Sequence, residues 1–488
     1  MNHVSASTPT QSLSPLELDP NTLREISSYV TEKIVAYLES LPDQPVCDTE
    51  NSEVVAASLL EPLPESGENY KELVDLVFDK AVTKGYNSAS PGYMAFIPGG
   101  GLVHSAIADL ISNAINRYVG IWVSAPGLVQ IETNVVRWFC DIVGYADDAG
   151  GFLTTGGSLA NFSALFSARR TRLPEDFLSG RIYTSDQAHH SVFKAAILAG
   201  FPQSAIRIIP SDSSFRIDLG RLHKEIRKDR RNGFHPFAVV ANAGTTNTGA
   251  VDDLERIADI SEKENLWLHI DAAYGGFFLL TEQGKQRMKG ISRADSITLD
   301  PHKGLFLPYG TGCLLARNSE TLRKAHAIHA CYLPPMQNKE GRVDFCDISP
   351  ELSRDFRGLR AWLPIKMHGI DVFRKALDEK LELARWITDQ LESLPNIRIV
   401  AQPQLSVVTF SVRSFETETS RANAQTQHLL ERINAYGHVF LTGTLLAGIF
   451  VIRICILSFR TDRSRVETCL RDIRKACLEL DSSTSNES

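Results

Sequence analysis

Leu266-Trp-Leu-His-Ile-Asp-Ala-Ala-Tyr274 is an apolar run that ends on a carboxylate and then on small side chains. A second run, Ser296-Ile-Thr-Leu-Asp-Pro-His-Lys303, ends on a histidine and a lysine. Short apolar stretches bounded by polar and turn-forming residues read as buried strands. Three more accompany them, Ala205 to Ile209, Phe237 to Ala241 and Gly312 to Ala316, and helical patterns at 158–172, 189–200, 218–231 and 252–264 separate the strands. Strands alternating with helices imply a largely parallel sheet covered on both faces, so the fold class is α/β over residues 101–360.

Outward from this centre the pattern changes. A long helical pattern from Trp362 to Leu394, broken only at Pro364, is followed by a strand (Leu405 to Val412), a helix (Arg421 to Tyr436), a strand (Phe450 to Leu457) and a last helix (Arg465 to Leu480). This order predicts a smaller α+β domain over 361–480. Residues 15–100 form a helical N-terminal segment (Leu23 to Leu41, Tyr70 to Lys84) with too little apolar sequence for a core of its own. The polar ends, 1–14 and 481–488, are expected to be disordered tails.

The 488 residues are 43% hydrophobic and carry a net charge of −7, which disfavours nucleic acid or an anionic membrane as a partner. No stretch reaches the roughly 20 apolar residues of a membrane span, and the N-terminus lacks a signal peptide's basic start and apolar centre. Eight scattered cysteines without a CxxC pair suggest reduced thiols, no metal site and a cytoplasmic protein.

Four segments carry chemistry. Gly150-Gly-Phe-Leu-Thr-Thr-Gly-Gly-Ser158 runs into a helical pattern, so Gly157 and Ser158 could offer helix-terminal amides to a phosphate; alone it reads as a turn with a serine cap. Thr184-Ser-Asp-Gln-Ala-His-His-Ser191 places His189 where a loop opens a helix, either as a cap or as a flat partner for an aromatic ring. Asn242-Ala-Gly-Thr-Thr246 ends a strand on small hydroxyl residues, Thr246 among them, suited to a ring hydroxyl or a carboxylate. Asp271 and Lys303 then complete a set suited to pyridoxal 5'-phosphate: a buried carboxylate keeps a pyridine nitrogen protonated, and a lysine amine carries the aldehyde as an imine. Ala273 leaves room for a flat ring, and His302 could reach the phosphate or a substrate group. Lys303 should be desolvated, with a lowered pKa.

Together, Ser185-Asp-Gln-Ala-His189, Gly244-Thr-Thr246, His269-Ile-Asp-Ala-Ala273 and Asp300-Pro-His-Lys303 resemble the group II pyridoxal-phosphate-dependent amino-acid decarboxylases, most closely the aromatic-L-amino-acid decarboxylases. The resemblance runs from about Pro91 to Cys477. It implies an aspartate-aminotransferase-like fold (fold type I) and a homodimer with active sites at the subunit boundary. It also implies residue roles: His189 stacks on the ring, Asp271 pairs with its nitrogen, Ala273 touches its other face, Lys303 bears the imine, and Ser158 with Gly157 holds the phosphate. Tyr332, in Ala330-Cys-Tyr-Leu-Pro334, matches a mobile-loop tyrosine that helps protonate the α-carbon after CO2 leaves.

The chain departs from that pattern at Asp300, where aromatic decarboxylases usually have asparagine; a carboxylate near the phosphate is repulsive unless it points elsewhere. Phe96 and Trp122 are candidate pocket walls, with core packing an equal reading. Ser353 falls where plant relatives tend to have serine for phenolic and glycine for indolic substrates. The expected reaction is decarboxylation of an aromatic or large apolar L-amino acid to a primary amine. The alternatives are an aldehyde-forming oxidative deaminase, a decarboxylase of glutamate, aspartate or cysteine sulfinate, and a homologue without turnover, against which the intact Lys303, Asp271, His189 and Tyr332 speak.

Overall fold

A computed structural model describes residues 14–328, 342–413 and 419–484. Expectations for Tyr332 and for most of both tails fall outside these residues; the last helix, Arg463–Thr484, runs into the segment read as the C-terminal tail. The chain divides into two compact units at Ser90/Pro91.

In the first unit the helix Pro20–Ser40 starts at Asp19, whose Oδ1 accepts from the amides of Asn21 and Thr22 at 2.9 and 3.2 Å, with Pro20 at the first helical position. Shorter helices, Ser52–Ala57 and Tyr70–Leu76, follow, with strands β1 (Cys47–Asp48) and β2 (Gly85–Tyr86) paired antiparallel. None of the three helices has a buried residue, while Leu23, Val35 and Leu73 are exposed.

The second unit holds a seven-stranded sheet. Its strands are β3 (Gly150–Thr154), β4 (Gly180–Ser185), β5 (Ile206–Ile209), β6 (His235–Asn242), β7 (Trp267–Asp271), β8 (Ser296–Leu299) and β9 (Gly312–Ala316), in the spatial order β3-β9-β8-β7-β6-β4-β5. The pairings from β8 through β5 are parallel and those of β9 antiparallel. The central strands are buried residue after residue, as expected of a sheet covered on both faces.

Two of these strands were invisible as sequence patterns, each for a local reason. A Cβ on Gly151 would lie 2.0 Å from the carbonyl oxygen of Leu314, so β3 cannot carry there the branched side chain that announces a strand. In β4 the buried position 181 is an arginine, whose guanidinium lies 3.5 Å from the Phe234 ring centroid and donates to the carbonyls of Leu178 and Gly180.

A four-stranded antiparallel sheet completes the unit, with β10 (Ile397–Ala401), β11 (Val407–Val412), β12 (Thr442–Leu446) and β13 (Ile449–Cys455) in the order β10-β11-β13-β12. Leu383, Ile387, Leu429, Ile433, Val466 and Ile473 of three helices pack on it. The long helical pattern is interrupted at Gly369 rather than at Pro364. Helix Gly358–His368 passes through Pro364, and Gly369, at φ +73°, separates it from helix Ile370–Glu392. Proline is tolerated because the carbonyl it leaves without an amide partner, that of Arg360, accepts instead from Ser105 Oγ at 2.8 Å.

One buried ion pair braces the strand that leads to the glycine loop. Arg354 Nη2 donates to Glu132 Oε1 at 2.6 Å and to the β3 carbonyl of Leu153 at 3.0 Å, and both charged side chains are fully buried. Glu132→Ala leaves a guanidinium in the interior without its counter-charge and is expected to cost about 3–5 kcal/mol, read as a lowered urea midpoint.

Candidate active site

Strands β4, β6, β7 and β8 run parallel, so their C-terminal ends meet along one edge of the sheet, where α/β folds form ligand crevices. A cavity of about 270 Å³ opens there. Its walls bring together Gly157, Ser158, His189, Thr246, Asp271, Ala273, His302 and Lys303, every residue that the sequence assigned to cofactor binding. Asn161, Ser191 and Asp300 also line it; Phe96, Trp122 and Ser353 do not. Trp122 packs instead under the guanidinium of Arg342, Phe96 is about half exposed, and Ser353 is exposed.

Each wall has its own local cause. Helix Gly157–Arg172 begins at the cavity with its first amides unpaired by the helix, and a Cβ on Gly157 would lie 3.0 Å from Asp300 Oδ2 and 3.3 Å from the Ala273 Cβ. Asp271 ends β7 and is buried; Oδ1 accepts from the amide of Ala273 at 3.1 Å and Oδ2 from Asn161 Nδ2 at 2.9 Å. His189 serves as the cap of helix His190–Leu198 and also lines the cavity.

A hydrogen-bond network behind the cavity fixes Asp271, and sequence reasoning missed it. Asn161 Nδ2 donates also to Ser191 Oγ at 2.9 Å, and its Oδ1 accepts from Thr298 Oγ1 at 2.7 Å and faces His269 Nε2 at 3.0 Å. Burial pushes the His269 imidazole down to about 4, so the ring is neutral at physiological pH. Its partners assign the tautomer: Nε2 carries the proton toward Asn161, and Nδ1 accepts from Ser296 Oγ at 2.8 Å. The same logic gives His189 its proton at Nε2, since Nδ1 faces the Ser191 hydroxyl at 2.8 Å and accepts from the Ser191 amide. Burial also lowers the pKa of His189.

The signal for this network was present in the sequence. His269 and Asp271 alternate on one face of β7, with Ser296 and Thr298 opposite them on β8. Polar residues at period two in otherwise apolar strands need partners inside. The depressed His269 pKa has a consequence for stability. The folded protein holds this ring neutral where an unfolded chain, with its histidine near pH 6.5, takes up a proton. The contribution is therefore present above about pH 6.5 and is lost as pH falls toward 4, on the order of 3 kcal/mol in all. Urea midpoints from pH 7 to 4.5 should fall less steeply for His269→Asn than for the wild type.

Lys303 departs from expectation in one respect. Burial pulls the pKa of its amine down, but Asp300, with Oδ2 2.9 Å from Nζ, and Asp271 together outweigh burial, and the net direction is up. His302 fits a neutral ring: burial lowers its pKa and Nδ1 donates to the Thr311 carbonyl at 2.7 Å.

Arg453 on β13 ties the small sheet to the cavity rim. It donates to the carbonyls of Asn247 (2.9 Å), Phe96 (3.1 Å) and Thr246 and to Thr442 Oγ1 (3.0 Å). Every one of these acceptors is neutral.

A buried carboxylate, an amine within its field and a glycine-led helix terminus around one small cavity fit the ring, aldehyde and phosphate of pyridoxal phosphate. The family model for the pyridoxal-dependent decarboxylase conserved domain matches residues 57–413. The chain belongs to the pyridoxal-dependent decarboxylases. It is 35% identical to the aromatic-L-amino-acid decarboxylase of Bacillus atrophaeus, over 95% of this chain and 97% of that protein. Among solved structures, the Oryza sativa TDC with PLP and tryptamine superposes with a TM-score of 0.90 at 24% identity, over 96% of this chain and all of that one. The Rhodiola rosea 4-hydroxyphenylacetaldehyde synthase gives 0.88 at 25% identity, over 95% and 99%. The decarboxylase is thus a carboxy-lyase of amino acids with the fold type I architecture, and its cofactor is pyridoxal 5'-phosphate.

Proposed function

We propose that this decarboxylase converts an aromatic L-amino acid to its primary amine and CO2. The observation that carries the substrate class is the cavity wall, which among the described residues contains no arginine to meet an acidic side chain. The nearest candidate, Arg453, donates to protein carbonyls and a hydroxyl. The likeness to the Bacillus atrophaeus aromatic-L-amino-acid decarboxylase supports the same class.

When bound, the cofactor supplies an electron sink for the pair released as the α-carbon loses its carboxylate. Lys303 would be the residue that holds it, through its amine in the cavity. Asp271, fixed by Asn161 and the Ala273 amide, would keep a proton on the pyridine nitrogen and so favour the charge that the cofactor takes up. Gly157 and Ser158 present helix-terminal amides to the phosphate. Ala273 would leave space for one face of the ring and His189 would pack on the other, with its Nε2 proton available to a substrate carboxylate. Thr246 and His302 give polar contacts at the rim. Tyr332, which lies outside the described residues, or an acid linked to it would help protonate the α-carbon, as the family resemblance implies.

A homodimer completes this reading. Ile107, Leu110, Ile111 and Ile115 of helix Val103–Ile115 are exposed, forming an apolar face suited to a second copy of the chain. The buried thiols of Cys140, Cys313, Cys455 and Cys469, none in a disulfide, favour a reducing, cytoplasmic location.

Incubating the holoenzyme with a panel of amino acids under oxygen tests the proposal. Release of CO2 with an equimolar arylalkylamine, from phenylalanine, tyrosine, tryptophan or their hydroxylated forms, is the expected outcome. The similarity to the Rhodiola rosea aldehyde synthase motivates the competing reading, in which aldehyde, ammonia and peroxide appear instead. Turnover confined to glutamate, aspartate or cysteine sulfinate would overturn the substrate class.

A further inference from the structure

Among the described residues, Asp300 is the one carboxylate in the cavity besides Asp271, and its environment is unlike that of its neighbour. Asp271 has both oxygens engaged by N–H donors. Asp300 is 2% exposed, its Oδ2 lies 2.9 Å from Lys303 Nζ, and its Oδ1 is buried without a hydrogen-bond partner. It stands over the start of helix Gly157–Arg172, close enough that a Cβ on Gly157 would meet both oxygens at 3.0 and 3.3 Å. The carboxylate thus occupies the position where a helix terminus favours an anion, and it is balanced by a single cation, the Lys303 ammonium.

Loading the cofactor changes both terms. The phosphate brings a second anion to the same helix terminus, and the covalent link consumes the free amine that was the partner of Asp300. Two anions crowded into one desolvated site do not both keep full charge. We propose that Asp300 takes up one proton from solvent as pyridoxal phosphate binds, so that its carboxyl becomes a hydrogen-bond donor to the bound anion. The step is balanced: one O–H bond forms at the carboxyl, one hydron leaves the solvent, and no electron changes hands. The other titratable groups facing Asp300 are Lys303, His302 with Nε2 at 3.7 Å, His189, Cys313 on β9 and Asp271 across the cavity. All of them remain in an Asp300→Asn variant; because Asp300 also raises the pKa of the Lys303 amine, that amine is titrated separately in each cofactor-free protein and the carboxyl's share of the proton uptake is taken by difference.

The test is binding, not turnover. Enzyme stripped of cofactor is titrated with pyridoxal phosphate by calorimetry in buffers of different ionisation enthalpy, for wild type and Asp300→Asn. Wild type should take up about one proton more per site than the variant at pH 7.5. Its affinity should fall about tenfold more per pH unit between pH 7.5 and 8.5. Equal proton uptake with parallel pH curves would overturn the proposal. If Asp300→Asn does not fold, Asp300→Ser replaces it. The wild type's infrared difference spectrum on loading provides a further reading: a new protonated-carboxyl stretch supports the proposal and its absence contradicts it. The visible absorbance of the bound cofactor reports separately whether the cofactor occupies this cavity at all.

Discussion

Lys303→Ala is expected to lower decarboxylation by at least about 10⁴-fold while leaving the fold intact. The side chain follows β8 through the short helix Pro301–Gly304 and enters the cavity from the sheet's C-terminal edge. Truncation removes the amine proposed to anchor the cofactor, and no other lysine among the described residues lines the cavity. Because the covalent link can no longer form, the variant should also bind pyridoxal phosphate more weakly, and the absorbance of the lysine-linked cofactor should vanish. Steady-state rates and a visible spectrum check both. Activity within tenfold of wild type would remove Lys303 from its assigned role.

Asp271→Asn is the second large effect, expected at about 10³-fold or more in kcat. The substitution is nearly isosteric, and Asn161 can still donate to the amide oxygen, so position and packing survive. What disappears is the buried negative charge proposed to hold a proton on the ring nitrogen. An interaction realised mainly as electrons flow into the ring lowers kcat more than it raises KM. The split between the two constants therefore distinguishes loss of charge from loss of a binding contact. A change confined to KM would contradict the role.

The parts of the fold legible in the sequence were those where one residue type repeats at the period of its element. The apolar runs of β6, β7, β8 and β9 announced themselves because both faces are covered. β3 and β4 did not, because Gly151 must let Leu314 approach and Arg181 satisfies its charge inside the protein. The helix break was misplaced for a similar reason: the defect introduced by Pro364 is repaired by Ser105, distant in sequence, and no local rule reveals that.

At the site, residues adjacent to chain punctuation were readable. Asp271, Lys303 and His189 each stand where a strand or loop gives way to a helix or turn. Asn161 and Ser191 were not readable, because their function lies in bonds to residues far along the chain. Asp300 was legible as a departure from the family pattern but not in its effect. Only the three-dimensional arrangement shows its oxygen at 2.9 Å from Lys303, raising the amine's pKa where burial alone would have lowered it.

Reduction of the holoenzyme with borohydride, followed by peptide mapping, addresses the central assignment most directly. The phosphopyridoxyl group should be found on the peptide bearing Lys303, in a yield close to one per chain. A label on a different lysine, or none despite bound cofactor, would contradict the account.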